Sequence, residues 1–299
     1  MAQDKNDQNK NSDSSTDLSR RDFVAMSIAA GIVAAAGSAS AADLPVVETM
    51  VTIQTPDGMC DAAYIHPTTG SHPAVVIWSD AFGLRPATRD LGKRVAAEGY
   101  SVLVPNPFYR LAKAPVFSDP SSFNFGNPAD RAKLTPLMGS INAPGAAEKD
   151  LTAFVAFLDA QKEVNKAKKM GTQGYCMGGP LVMRTVAALP NRFGAGASFH
   201  GGGLVTDQPS SPHLLAPKIK ARMYFGVASN DDMQQPDAKD KLKEAFAAVK
   251  VPAEIEVYAG AQHGWCMPDM PAQNGPIYSK PDAERAWGKL VALYKAALV

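Results

Sequence analysis

The hexapeptide Gly174-Tyr175-Cys176-Met177-Gly178-Gly179 has the form G-x-C-x-G and constrains this chain more than any other stretch. The pattern is the thiol version of a nucleophile elbow, in which a strand ends, the chain turns sharply and a helix begins. The residues two before and two after the nucleophile crowd that turn, so both must be small, and Gly174 and Gly178 are. Met170 to Gln173 can supply the strand. Leu181, Val182, Thr185, Val186 and Leu189 recur behind the turn at helical spacing. A glycine-flanked cysteine also occurs in buried turns, where it packs as a small hydrophobe. The rest of the chain has to decide between the two.

Strand and helix signals alternate around the hexapeptide. Val46 to Ile53 and Met59 to His66 read as two strands joined at Pro56-Asp57-Gly58, a turn sequence. Ala74 to Trp78 is a continuous apolar run, as suits a parallel strand buried on both faces. Further strands are predicted over Ser101–Val104, Phe193–Phe199, Ala221–Val227 and Glu254–Tyr258. Helices are predicted over Pro86–Glu98 and Gly145–Asp159, from Pro236, and over Asp282–Leu298. Residues 105–144 break the rhythm with seven prolines and with Phe108, Phe117, Phe123 and Phe125. That segment is expected to cover a site, with a short helix near Asp130 to Met138. Such alternation implies an α/β fold, a mostly parallel sheet flanked by helices on both faces after an antiparallel start. One domain over residues 43–299 accommodates it. A composition of 45% hydrophobic and 20% charged residues is that of an ordinary globular domain. The net charge of +1 gives no field that would draw nucleic acid or a membrane surface.

Residues 1–42 read as a leader. A polar stretch precedes Ser19-Arg20-Arg21-Asp22-Phe23-Val24, which carries a twin-arginine signature. The apolar run to Ala36 is too short for a stable membrane anchor, and Ala39-Ser40-Ala41 offers a cleavage site. The expectation is a twin-arginine signal peptide with a disordered start. Its partner would be the twin-arginine export machinery of a bacterium, and the mature protein would be periplasmic or secreted. Of three cysteines, Cys60 and Cys266 can form a disulfide in such a compartment or pack as separate thiols, and packing is expected.

A thiol at an elbow performs acyl chemistry only with a base and a group that orients the base. Among five histidines, His263 stands in Gly260-Ala261-Gln262-His263-Gly264, just past the last strand, at the edge where the loops of a parallel sheet gather. His66, His72 and His213 read as surface or loop residues. His200 opens His200-Gly201-Gly202-Gly203 and is expected in a pocket wall. The orienting carboxylate should follow a strand between Cys176 and His263, where Asp231 and Asp232 compete. Counting from the strand end favours Asp231, leaving Asp232 solvated or capping the helix at Pro236. The order nucleophile, acid, histidine is that of α/β-hydrolases. No His/Cys/carboxylate cluster has metal-ligand spacing, and no cofactor is implied.

Taken together, the elbow, Asp231 and the Gly260–Gly264 segment resemble the dienelactone hydrolase, or carboxymethylenebutenolidase-like, family across nearly the whole mature chain. The resemblance implies an α/β-hydrolase fold and metal-free hydrolysis of a small lactone or ester through Cys176, His263 and Asp231. It also implies an oxyanion hole from the backbone amides of Ala81 and Met177. Asp80, in Asp80-Ala81-Phe82-Gly83, stands where the family has a glutamate that contacts the resting thiol, one methylene shorter. Arg110 matches one of two arginines that hold a substrate carboxylate, and the second position is Met267. Arg110, Tyr175, His200 and Trp265 are the expected substrate contacts. Acyl transfer or thioester cleavage by the same residues, and a binding role on a hydrolase fold, stay open at this level.

Overall fold

The structure, a computed structural model, describes residues 44–272 and 275–299. The leader read over residues 1–42 lies outside the described residues. Eight strands form one sheet in the order β1-β2-β4-β3-β5-β6-β7-β8. They are β1 (Val46–Thr55), β2 (Gly58–Pro67), β3 (Ala74–Trp78), β4 (Ser101–Pro105), β5 (Met170–Tyr175), β6 (Phe193–Phe199), β7 (Arg222–Ala228) and β8 (Ala253–Tyr258). β2 pairs antiparallel with both β1 and β4, and every later pairing is parallel. The mostly parallel sheet with helices on both faces is the α/β-hydrolase architecture.

The helices are α1 (Pro86–Ala97), α2 (Pro128–Asn142), α3 (Ala146–Asp159), α4 (Gly178–Ala188), α5 (Ser229–Gln234), α6 (Ala238–Ala248) and α7 (Lys280–Leu298). Leu151, Phe154 and Leu158 of α3, Leu181, Val182 and Val186 of α4, and Leu242 and Phe246 of α6 fill one face of the sheet. Val95 and Ala96 of α1 and Leu290, Tyr294 and Leu298 of α7 fill the other. Side chains alternate along each strand, so Trp78 enters the first core and its neighbour Ile77 the second. Each fully buried Leu or Phe contributes about 1.5–3 kcal/mol, so the two cores hold the sheet rigid under its loops.

Three elements near the sheet's loop edge depart from the sequence reading. The helix expected near Asp130 to Met138 runs from Pro128 to Asn142, opened by the Asn127 side chain accepting from the Ala129 amide at 2.9 Å. The stretch after β7, over which no helix was predicted, contains α5, which carries both Asp231 and Asp232. The helix after it starts at Ala238, beyond Pro236, because α5 takes up the intervening chain. Among the described residues no helix is long and apolar enough to cross a membrane.

Candidate active site

Cys176 directly follows β5 with φ at 51°, the left-handed turn of an elbow. A Cβ on Gly174 would lie 2.2 Å from the Gly178 carbonyl oxygen, and one on Gly178 would lie 2.4 Å from the Trp78 oxygen. Only glycine fits both positions. The Cys176 amide donates to the Phe199 carbonyl at 3.1 Å and to His200 Nδ1 at 3.1 Å, which fixes the turn against the end of β6. Cys60 and Cys266 are buried, and all three thiols are free. No disulfide joins Cys60 to Cys266.

The ends of β7 and β8 are tied together before any reactive side chain is considered. The Ser229 amide and hydroxyl both donate to the Ala261 carbonyl, at 2.9 and 2.8 Å. Asn230 Oδ1 accepts the His263 amide at 2.8 Å. This brings His263 Nδ1 to 2.8 and 3.0 Å from the two carboxylate oxygens of Asp231. Asp232 instead meets Lys239 Nζ at 2.7 Å and caps nothing. Burial opposes protonation of His263. The hydrogen bond to Asp231 and the nearby Cys176 thiol, with the charges of both, outweigh it and raise the imidazole to about 10. His263 therefore stands between carboxylate and sulfur.

His200 lies beside this pair, its ring 5.1 Å from that of His263 and fully buried. Burial, helped by the neighbouring His263, pushes its pKa well below the usual range. Because Nδ1 accepts the Cys176 amide, the single ring proton sits on Nε2. The remaining histidines are engaged elsewhere: His66 with the Pro67 carbonyl, His72 with that of Thr69, and His213 with the Ser211 hydroxyl.

A cavity of about 720 Å³ opens over Cys176 and His263, walled by Ala81, Phe82, Phe125, Gln234, Met270 and Ile277, among others. The amides of Ala81 and Met177 donate to no protein acceptor among the described residues. Phe82, Phe117, Phe123 and Phe125 pack edge to face with centroids 4.8–5.7 Å apart, so the proline-rich segment does wall the cavity.

None of the four expected substrate contacts lines the cavity: His200 is fully buried, and the other three are engaged elsewhere. Tyr175 points to the α1/α7 face, where Gln173 donates to its hydroxyl at 2.7 Å, because the last residue of β5 alternates away from the elbow. Trp265 is buried against Tyr258 and the edge of His200. Arg110 is held by Asp57 at 2.8 Å and Asp150 at 2.7 Å, beside the β1–β2 turn. Asp80 borders the cavity, but Arg85 takes both of its oxygens, at 2.7 and 2.9 Å. No hydrogen bond joins the Asp80 carboxylate to the thiol. The sequence reading missed Arg85, which also donates to Asp269 at 2.7 and 2.8 Å, across 184 positions of chain. It missed Asn230 as well, although a polar side chain at a strand end beside the favoured acid was a readable signal. Among the described residues no three His, Cys, Asp or Glu side chains are grouped to hold a metal ion.

The family model described as "Dienelactone hydrolase family" matches residues 60–298. The chain is 28% identical over 260 residues to a putative carboxymethylenebutenolidase of Synechocystis sp., covering 84% of this chain and 97% of that one. It is 27% identical over 238 residues to a carboxymethylenebutenolidase of Rhodococcus opacus, covering 79% and 86%. In fold it is similar to the crystal structure of a putative dienelactone hydrolase from Klebsiella pneumoniae subsp. pneumoniae. The TM-score is 0.69 at 21% identity, with 84% of this chain and 99% of that one covered.

Proposed function

We propose, on the premise that this chain belongs to the dienelactone hydrolase family and is a lactone or ester hydrolase of that kind, that Cys176 is its nucleophile, His263 its acid and base, and Asp231 the group that orients the imidazole. The observation that carries this reading is the bracketing of His263. Its Nδ1 is on Asp231 at 2.8 Å, and the Cys176 thiol is near enough to raise the imidazole, both residues lining a cavity of about 720 Å³.

Those contacts support a thioester route. His263 holds the proton given up by Cys176, and Asp231 stabilises the resulting imidazolium. The sulfur attacks the carbonyl carbon, and the oxyanion turns toward the amides of Ala81 and Met177. A donor of this kind is typically worth about 3 kcal/mol in the transition state. Collapse breaks the carbonyl–alkoxy bond, and His263 gives its proton to the departing oxygen, leaving a thioester on Cys176. Water then loses a proton to His263 and attacks the thioester carbonyl. The sulfur leaves, and the acid is released. From a lactone the alcohol and acid stay in one hydroxy acid.

Cys176→Ala should abolish hydrolysis of 4-nitrophenyl acetate while far-ultraviolet circular dichroism and the melting temperature stay near wild type. Acid-quenched wild-type enzyme should carry a single acetyl group on the Cys176 peptide by mass spectrometry. Undiminished turnover by the alanine variant would remove Cys176 from the nucleophile role.

A further inference from the structure

The cavity over Cys176 contains no lysine or arginine among its described lining residues. Two arginines stand within a few residues of that wall in sequence or by expectation, and neither is available to a ligand. Arg85 is almost wholly buried and is consumed by Asp80 and Asp269, whose side chains are 1% and 30% exposed. Arg110 is consumed by Asp57 and Asp150. Met267, four residues past His263, is completely buried in the core shared with α1 and α7. The two carboxylates that line it, Asp80 and Asp231, are each already paired, with the Arg85 guanidinium and the His263 imidazole. A carboxylate on an incoming molecule therefore meets no free cation.

The rest of the wall is apolar or amide. Phe82 and Phe125 present aromatic surface backed by Phe117 and Phe123, and Met270 and Ile277 complete that side. Gln234 and Gln262 lie at the exposed rim, and Gln262 lends its side chain only weakly to Ser229, at 3.4 Å. An aromatic or branched hydrocarbon can fill such a wall, and an ester oxygen can use the amides, but a second carboxylate would be buried unpaired.

Given the hydrolase reading above, we infer that the enzyme acts on uncharged esters or lactones with an apolar acyl part and discriminates against substrates that carry a carboxylate. The charge pattern of the wall sets this selectivity, and Arg85 contributes by neutralising Asp80 without offering a free donor to the cavity.

A matched pair of chromogenic esters tests the inference. 4-Nitrophenyl butyrate and mono-4-nitrophenyl succinate present acyl chains of equal carbon number, one ending in a methyl group and one in a carboxylate. At pH 7.5, kcat/KM should favour the butyrate by about tenfold or more, because a carboxylate taken out of water without a free cation is strongly penalised. Gln234→Arg, which adds a cation at the rim, should narrow the ratio by raising kcat/KM for the succinate ester. Equal rates on the two esters, both lost in Cys176→Ala, overturn the charge selectivity and leave the hydrolase reading standing. A succinate preference does the same. Absence of any Cys176-dependent hydrolysis of either ester overturns both.

Discussion

At the scale of single residues, the pair Asp231 and Asp232 shows how one position separates two roles. Both lie in α5 and both are half-exposed, yet only Asp231 reaches His263, while Asp232 faces Lys239. Asp231→Asn should leave the fold intact and lower kcat on the order of a thousandfold or more, since an amide no longer fixes the tautomer or stabilises the imidazolium. Asp232→Asn should keep kcat within about tenfold and cost about 0–1 kcal/mol of stability, as exposed ion pairs do. Steady-state kinetics on the two variants give the ranking, and the reverse order would move the orienting role to Asp232. This much was legible in the chain, because a strand end, an acid and a histidine in hydrolase order are local signals. Tyr175 and Trp265 were misread from the same local view. They flank reactive positions in sequence, but strand alternation and the turn after His263 send both into the core.

At the scale of elements, the buried guanidinium of Arg85 joins the loop after β3 to the loop after β8, both of which border the cavity. One is the turn after β3, where Asp80 Oδ1 also accepts the Phe82 amide at 2.9 Å and Ala81 presents its own amide to the cavity. The other is the loop that runs from His263 to Asp269. Arg85→Met leaves the buried Asp80 carboxylate with only the Phe82 amide and no compensating charge, a defect that typically costs about 3–5 kcal/mol. Thermal melting of the variant should therefore fall by roughly 10 °C for a domain of this size. Adding Asp80→Asn should recover part of that loss, because the uncompensated charge is then gone. Strictly additive losses in the double variant would show that Arg85 and Asp80 act independently. Nothing local announces this strap, since Arg85 and Asp269 are 184 positions apart and each looks like a surface charge. The expected contact of Asp80 with the thiol failed because Arg85, five residues on, takes both carboxylate oxygens, and the sequence reading gave Arg85 no role. The alternation of strands and helices was legible throughout, because the periodicities of 2 and 3.6 are written in the apolar residues themselves.

At the scale of the whole molecule, the pH dependence of folding should carry the mark of one imidazole. His263 is raised to about 10 in the folded state, against about 6.5 when unfolded, by Asp231 and Cys176 acting against burial. A group with a raised folded pKa contributes stability that is fully present below pH 6.5 and is lost as the pH rises toward 10. Denaturant midpoints for the wild type should fall over that interval by more than those for Asp231→Asn, which removes the main hydrogen bond holding the proton. Parallel curves for the two proteins would show that the pairing contributes nothing to folding. The architecture also separates two tasks in space. Cys176, Asp231 and His263 stand on the ends of β5, β7 and β8, above cores built from α3, α4 and α6 on one side and from α1 and α7 on the other. The phenylalanine wall has a small core of its own, in which Phe123 and Leu134 pack on Ala81 and Phe82. Most of it comes from one continuous insertion between β4 and α3. Changes at Phe117, Phe123, Phe125 and Leu134 can therefore retune what enters the cavity while the sheet that carries Cys176, Asp231 and His263 is inherited unchanged.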